Sequence, residues 1–214
     1  MKNTSDTDFW ENFYKEKSLP FEPSSFSKYC INNYIEDCKK CNLIELGCGN
    51  GRDSVLFSKL GCNVTAVDLA SAEIEFLNSK FASNSLKFVS TDFSKITDFS
   101  KYNVIYSRFS LHAIDKISQD RLLLNLSSSM TKNSLLCIEM RGLNNEYYGR
   151  GIKLKEQENT FFYENHSRRF VDVDALSEFL KNNKFNVLES DEKKGRAPFK
   201  GTDYTFGRII AKKL

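Results

Sequence analysis

The sequence predicts a doubly wound α/β fold with a mainly parallel sheet, and three observations carry that expectation. From residue 42 onward, short apolar runs alternate with stretches of helical period. The first apolar run leads straight into three glycines at alternate positions and then into a helix pattern, an order that lets backbone approach a ligand closely and present helix-start N–H groups to it. Polar and ionisable residues fall at the ends of the apolar runs, where open α/β sheets bind ligands.

Composition narrows the class. A chain of 214 residues with 40% hydrophobic and 28% charged residues can bury one sizeable core. A net charge of +3 is too mild for a dedicated nucleic-acid binder. No apolar run approaches the ~20 residues of a membrane helix, and Met1 to Asp8 is polar and acidic, unlike a signal peptide. The expectation is a cytoplasmic protein with no membrane partner. Its six cysteines then read as reduced thiols. Cys38-Lys39-Lys40-Cys41 is a CxxC without a second ligand pair, so no metal is expected.

Residues 1–40 read as a helical N-terminal cover. Phe9, Trp10, Phe13 and Tyr14 cluster on a short helix, Pro20 and Pro23 break it, and Ser24-Ser25 can cap a helix from Phe26 to about Cys38. This segment either packs its apolar face on the domain or closes over a ligand. Residues 42–140 form the core: strands at 42–46, 62–68, 86–89, 102–106 and 135–140, with helices after the glycines, from Ser71 to Phe81, and from Ser118 to Met130. Residues 141–170 lose any clear period and are polar, aromatic and basic, the character of a functional insert. In 171–214, Asp172 can cap a helix, and strands follow at 185–189 and 203–212. That makes seven strands in a single domain with helices on both faces.

The glycine spacing selects the ligand. A dinucleotide fingerprint needs a glycine at the sixth position counted from Gly47, and Arg52 stands there. The sequence has instead Glu45-x-Gly47-x-Gly49-x-Gly51, which resembles the first motif of the class I S-adenosylmethionine-dependent methyltransferases. Asp68 ends the second strand, where its carboxylate can accept from a ribose diol or cap the next helix. Asp92-Phe93 ends the third, as an adenine contact or an acidic turn.

The resemblance covers about Asn42 to Ile210 and implies a Rossmann-like sheet whose last strand runs antiparallel. It implies S-adenosyl-L-methionine as cofactor. Glu45 and the loop Gly47, Cys48, Gly49, Asn50, Gly51 and Arg52 would hold the methionine moiety, Asp68 with Leu69 the ribose, Asp92 and Phe93 the adenine, and Ser107 would line the same site. The segments around Trp10/Tyr14 and Ser25-Phe26 look similar to the cofactor-covering front of thiopurine and tellurite methyltransferases, which makes Tyr14, Ser25 and Phe26 cofactor contacts. A looser likeness, in Gly-Asn-Gly-Arg-Asp-Ser, Tyr-Ser-Arg-Phe-Ser-Leu-His-Ala and Arg168-Arg169-Phe170, is to methyltransferases of bacterial surface-polysaccharide pathways.

The acceptor is expected to be a small molecule. Ser107-Arg108-Phe109-Ser110 stands where methyltransferases of base amines carry a proline-containing motif, and a Pro-Cys nucleophile is absent, which argues against nucleic acid. Arg108, His112, Arg141, Arg168 and Arg169 offer cationic donors that suit a phosphate or carboxylate, and the acceptor is expected to be anionic or a sugar. The expected reaction is in-line displacement of the sulfonium methyl by an oxygen. His112 is the first candidate base, Asp115 the second, Arg108 a catalytic cation; if the oxygen arrives ionised, no base is needed and His112 only binds. The alternatives are a thiol, chalcogen or amine acceptor, or a cofactor-binding partner without turnover. The sequence implies no particular oligomeric state.

Overall fold

The computed structural model describes residues 22–164 and 166–214. Tyr14 and the aromatic cluster around it lie outside the described residues. Two compact units divide the chain, Met1–Phe93 and Ser94–Leu214.

In the first unit, helix α1 (Ser25–Asn33) precedes strand β1 (Asn42–Leu46), helix α2 (Arg52–Lys59), strand β2 (Asn63–Asp68), helix α3 (Ser71–Phe81) and strand β3 (Leu86–Ser90). The strand order is β3-β2-β1, every pair parallel. β1 is nearly all buried, as a central parallel strand must be when helices cover both faces. Helix α3 falls on the residues its period predicts, with Ile74 and Leu77 inward. Helix α1 ends at Asn33, and a separate 3-10 turn covers Cys38–Lys40, so the helix expected to reach Cys38 is two pieces.

The second unit holds β4 (Val104–Arg108), α4 (Lys116–Ser129), β5 (Leu135–Met140), β6 (Ile152–Lys153), β7 (Thr160–Tyr163), β8 (His166–Arg169), α5 (Val173–Asn182), β9 (Phe185–Lys193) and β10 (Phe206–Lys213). Its share of the seven-stranded sheet runs β4-β5-β10-β9. β4 and β5 are parallel, and β10 is antiparallel to both β5 and β9. The expectation of a mainly parallel sheet with an antiparallel last strand is therefore borne out. Asp115 rather than Ser118 caps α4, because its Oδ1 accepts the Ser118 N–H at 2.7 Å. Asp172 caps α5 as expected.

The insert 141–170 is not an irregular loop. β6, β7 and β8 form a small antiparallel sheet, with Thr160 opposite Arg169 and Tyr163 opposite His166. Strands of two to four residues are too short to establish an alternating pattern, which is why the period failed to reveal them.

Candidate functional site

In the first unit, the glycine loop adopts the conformation its composition demands. Gly47, Gly49 and Gly51 have φ of 76°, 53° and 72°, all left-handed. The loop is tied to β2 by its own backbone: the N–H groups of Gly47 and Cys48 donate to the Val67 carbonyl at 2.8 and 2.9 Å, and Gly51 N–H donates to Cys48 O at 3.0 Å. Gly49 N–H donates to Asp68 Oδ2 at 2.9 Å, while Ala70 N–H donates to Oδ1 at 3.1 Å. Asp68 is buried, and burial raises its pKa against the pull of these donors. Leu69 N–H adds a third backbone donor to the same carboxylate, so the turn after β2 is organised around this acid.

Glu45 is 3% exposed and accepts from Ser54 Oγ, so it locks β1 to α2 from below the loop. Asn50 and Leu69 are half-buried around the turn, as is Asp92, and the buried Phe93 starts a 3-10 turn. Arg52, at the start of α2, donates to the Glu22 carbonyl at 3.3 Å.

Asp53, which sequence reasoning passed over, is the hinge point of this unit. Its carboxylate accepts from Ser24 N–H and Ser24 Oγ, both at 2.7 Å, and from Ser27 Oγ at 2.9 Å. Ser24 Oγ in turn accepts the Ser27 N–H at 3.0 Å as the N-cap of α1. A buried carboxylate so satisfied fixes α1 onto the first turn of α2. Ser25 is exposed beside it, and Phe26 is 0% exposed and packs in the core.

In the second unit the expected cations divide into struts and open groups. Arg108 pairs through Nε with Glu139 Oε1 at 3.0 Å and lies over the Phe109 ring, 4.1 Å from its centroid. Glu139, 0% exposed, also takes Arg208 at 2.7 Å, so one carboxylate joins β4, β5 and β10. Arg169 donates to the carbonyls of Ile114 and Leu111 at 2.6 Å and to Gln119 Oε1 at 2.7 Å. Burial pulls its pKa down to about 10. Both arginines brace the fold, Arg169 through Nε and Nη2 and Arg108 through Nε. Ser107 is buried, and its hydroxyl pairs with that of Ser110 at 2.7 Å. Asp115 is occupied as the α4 cap, which leaves it unsuited to act as a base.

His112 differs from expectation in a more informative way. Its Nδ1 accepts the backbone N–H of Arg141 at 3.1 Å. Burial, then the charges of Arg141, Arg169 and His166, push its pKa well below the ordinary 6.5. The neutral ring must therefore carry its proton on Nε2, which makes that nitrogen a donor and not a base. The unfolded chain takes up this proton near pH 6.5 while the fold refuses it, so stability falls as pH drops through that value toward the folded pKa. Between pH 7 and 5.5 the wild type should lose stability more steeply than His112→Gln, by up to about 1.4 kcal/mol per pH unit. Equal slopes in denaturant titrations would mean that the folded ring protonates freely.

Arg141 and Arg168 gather with aromatic rings that the sequence did not single out. Tyr147 and Tyr204 have ring centroids 5.0 Å apart and hydroxyls 3.1 Å apart. Arg168 lies over Tyr147 at 5.5 Å and Tyr163 at 5.4 Å, and Arg150 over Tyr147 at 5.0 Å. Among the described residues no group of His, Cys, Asp and Glu could hold a metal ion.

A family model described as a methyltransferase domain matches residues 16–190. The chain belongs to that family, and the expected resemblance to methyltransferases is borne out at that level. It is 23% identical over 128 residues to a ubiquinone biosynthesis O-methyltransferase of Rickettsia felis, covering 59% of this chain and 52% of that protein. The chain spans about half to two thirds of the length of the curated relatives it matches. Among solved structures it is similar to a SAM-dependent methyltransferase from Methanosarcina mazei (TM-score 0.71, 17% identity, 86% of this chain and 96% of that one). It is likewise similar to the 1,6-didemethyltoxoflavin-N1-methyltransferase of Burkholderia thailandensis, solved with its substrate and S-adenosylhomocysteine (TM-score 0.69, 16% identity, 98% and 87%).

Proposed function

We propose that the domain is an S-adenosylmethionine-dependent methyltransferase acting on an oxygen of a small anionic acceptor, a sugar-linked one included. The observation that carries this reading is the link between Gly49 N–H and the Asp68 carboxylate, which ties the glycine loop to the acid at the end of β2. The loop N–H groups of Gly47, Cys48 and Gly51 are committed within the fold, which does not suit a pyrophosphate. In this reading Asp68 holds the ribose, Asp92 the adenine edge, and the loop from Gly47 to Arg52 the aminoacyl end. Bound there, the cofactor supplies an electrophilic methyl group. The protein's part is to orient the acceptor and exclude water. With His112 neutral and its proton on Nε2, the side chain donates to the acceptor and takes no proton from it. The likeness to ubiquinone O-methyltransferases favours oxygen over a thiol, chalcogen or amine as the nucleophile.

Calorimetry with S-adenosylmethionine and with NAD(P) tests the cofactor. Asp68→Asn should weaken S-adenosylmethionine tenfold to hundredfold, the equivalent of about 1.5–3 kcal/mol for charge-assisted hydrogen bonds. Tight NAD(P) binding without S-adenosylmethionine binding would overturn the reading. Cofactor binding with no S-adenosylhomocysteine released over a panel of hydroxylated and anionic metabolites would favour a partner protein without turnover.

A further inference from the structure

The surroundings of Arg141 in the second unit are rich in donors and poor in acceptors. Its guanidinium carries five N–H groups, and the ionisable groups near enough to act on it are Arg168, Tyr147 and Tyr204. Burial and Arg168 lower its pKa, the mark of a cation short of counter-charge. Among the described residues Arg168 is answered by the Tyr163 carbonyl and by Glu164 at 3.3 Å, whose side chain is 59% exposed. Of the paired phenols Tyr147 and Tyr204, one O–H is used in the pair and the other remains to donate. His112, fixed by the Arg141 backbone, adds its Nε2–H. Arg141, Arg168, Tyr147, Tyr204 and His112 are all half-buried, desolvated enough to bind strongly and open enough to be reached.

Half-buried donors call for an acceptor, and one that only accepts satisfies the most of them. We propose that Arg141, with Arg168, the Tyr147–Tyr204 hydroxyl pair and His112 Nε2–H, forms a subsite for the carboxylate or phosphate of the acceptor molecule. This rests on the methyltransferase reading only in naming the ligand an acceptor; the anion site itself does not. Arg141 supplies a planar fork that matches two oxygens at once, and the stacked Tyr147 and Tyr163 rings hold the Arg168 guanidinium in place. The cavity of about 170 Å³ beside α4 and α5 suits an anion less well: Asp120, Glu158 and Asp172 line it, and its two cations are engaged, Lys116 with Asp120 and Arg169 with Ile114 O, Leu111 O and Gln119.

The test uses the full chain and two probes, inorganic phosphate and benzoate, followed by ¹⁵N NMR of the arginine and histidine side chains. Either probe should give a saturable shift, and the tighter of the two names the anion class. Arg141→Gln should raise the dissociation constant tenfold or more, Arg141→Lys less, and Tyr147→Phe with Tyr204→Phe several-fold. Arg141→Lys keeps the charge and guards against a misfolded Arg141→Gln. The absence of saturable binding in the wild type, or an unchanged dissociation constant in both Arg141 variants, would overturn the proposal. Calorimetry with S-adenosylmethionine on the same samples keeps the two readings apart: anion binding without cofactor binding removes the methyltransferase reading and leaves the subsite standing.

Discussion

Glu139→Ala should destabilise the protein by about 3–5 kcal/mol, the range found when one partner of a buried ion pair is removed and its counterpart is left uncompensated. The carboxylate is fully buried, and it faces two guanidinium groups whose side chains are only 13% and 8% exposed. Taking it away removes the carboxylate that both cations share, one from each of the strands that flank β5. Urea unfolding measures this directly, and a loss below about 1 kcal/mol would show that the arginines find water or other partners. Replacing the whole triad with apolar residues should recover most of the loss, because the attraction among the three groups is set against a desolvation cost of similar size. Arg108 provides the companion measurement. As a strut, its removal should lower the melting temperature; a ligand-binding arginine would change KM and leave the melting temperature alone.

Gly51→Ala should be nearly as damaging. A Cβ at this position would lie 2.8 Å from Phe88 Cε1 and 3.1 Å from both Leu77 Cδ atoms, and φ is +72°. The left-handed conformation costs a non-glycine residue about 1–2 kcal/mol, and forcing Phe88 and Leu77 aside adds about 1–3 kcal/mol. Gly149 isolates the first contribution: its φ is +80°, yet nothing lies within 4 Å of an added Cβ. Gly149→Ala should therefore show the conformational cost alone, and the difference between the two variants measures the steric part. Gly51→Ala should also weaken S-adenosylmethionine binding at least tenfold, since the loop cannot shift without breaking the Gly51 N–H contact to Cys48 O. Equal effects of the two substitutions would mean that the packing under the loop yields freely.

The parts that were legible in the sequence are those fixed by local chemistry. Alternate glycines permit left-handed backbone, continuous apolar runs suit buried strands, and Asp172 before a helical period suits a cap; all three are found. What escaped notice depends on partners far away in the chain. Asp53 is defined by Ser24 and Ser27, which precede it by a whole strand, and Tyr147 by Tyr204 beyond four further strands. His112 was visible as an ionisable group at a strand end, but its protonation state is decided by a backbone N–H from Arg141. One missed feature did leave a trace. An acid within the apolar Leu135–Met140 and an arginine within Phe206–Lys213 are each out of place in a buried strand, and two such residues of opposite sign invite pairing.

The position of β10 has a bearing on how the protein comes into being. β10 follows β9 in the chain yet lies between β9 and β5. During synthesis β5, whose six residues are all buried in the finished fold, presents an unpaired apolar margin until residues 206–213 have emerged. Neither β9 nor β5 can borrow the other as a temporary neighbour without blocking the slot that β10 must enter. Closure of this half of the sheet is therefore a late event that joins segments distant in sequence, the slowest kind of contact to make and the one most exposed to capture by another nascent chain.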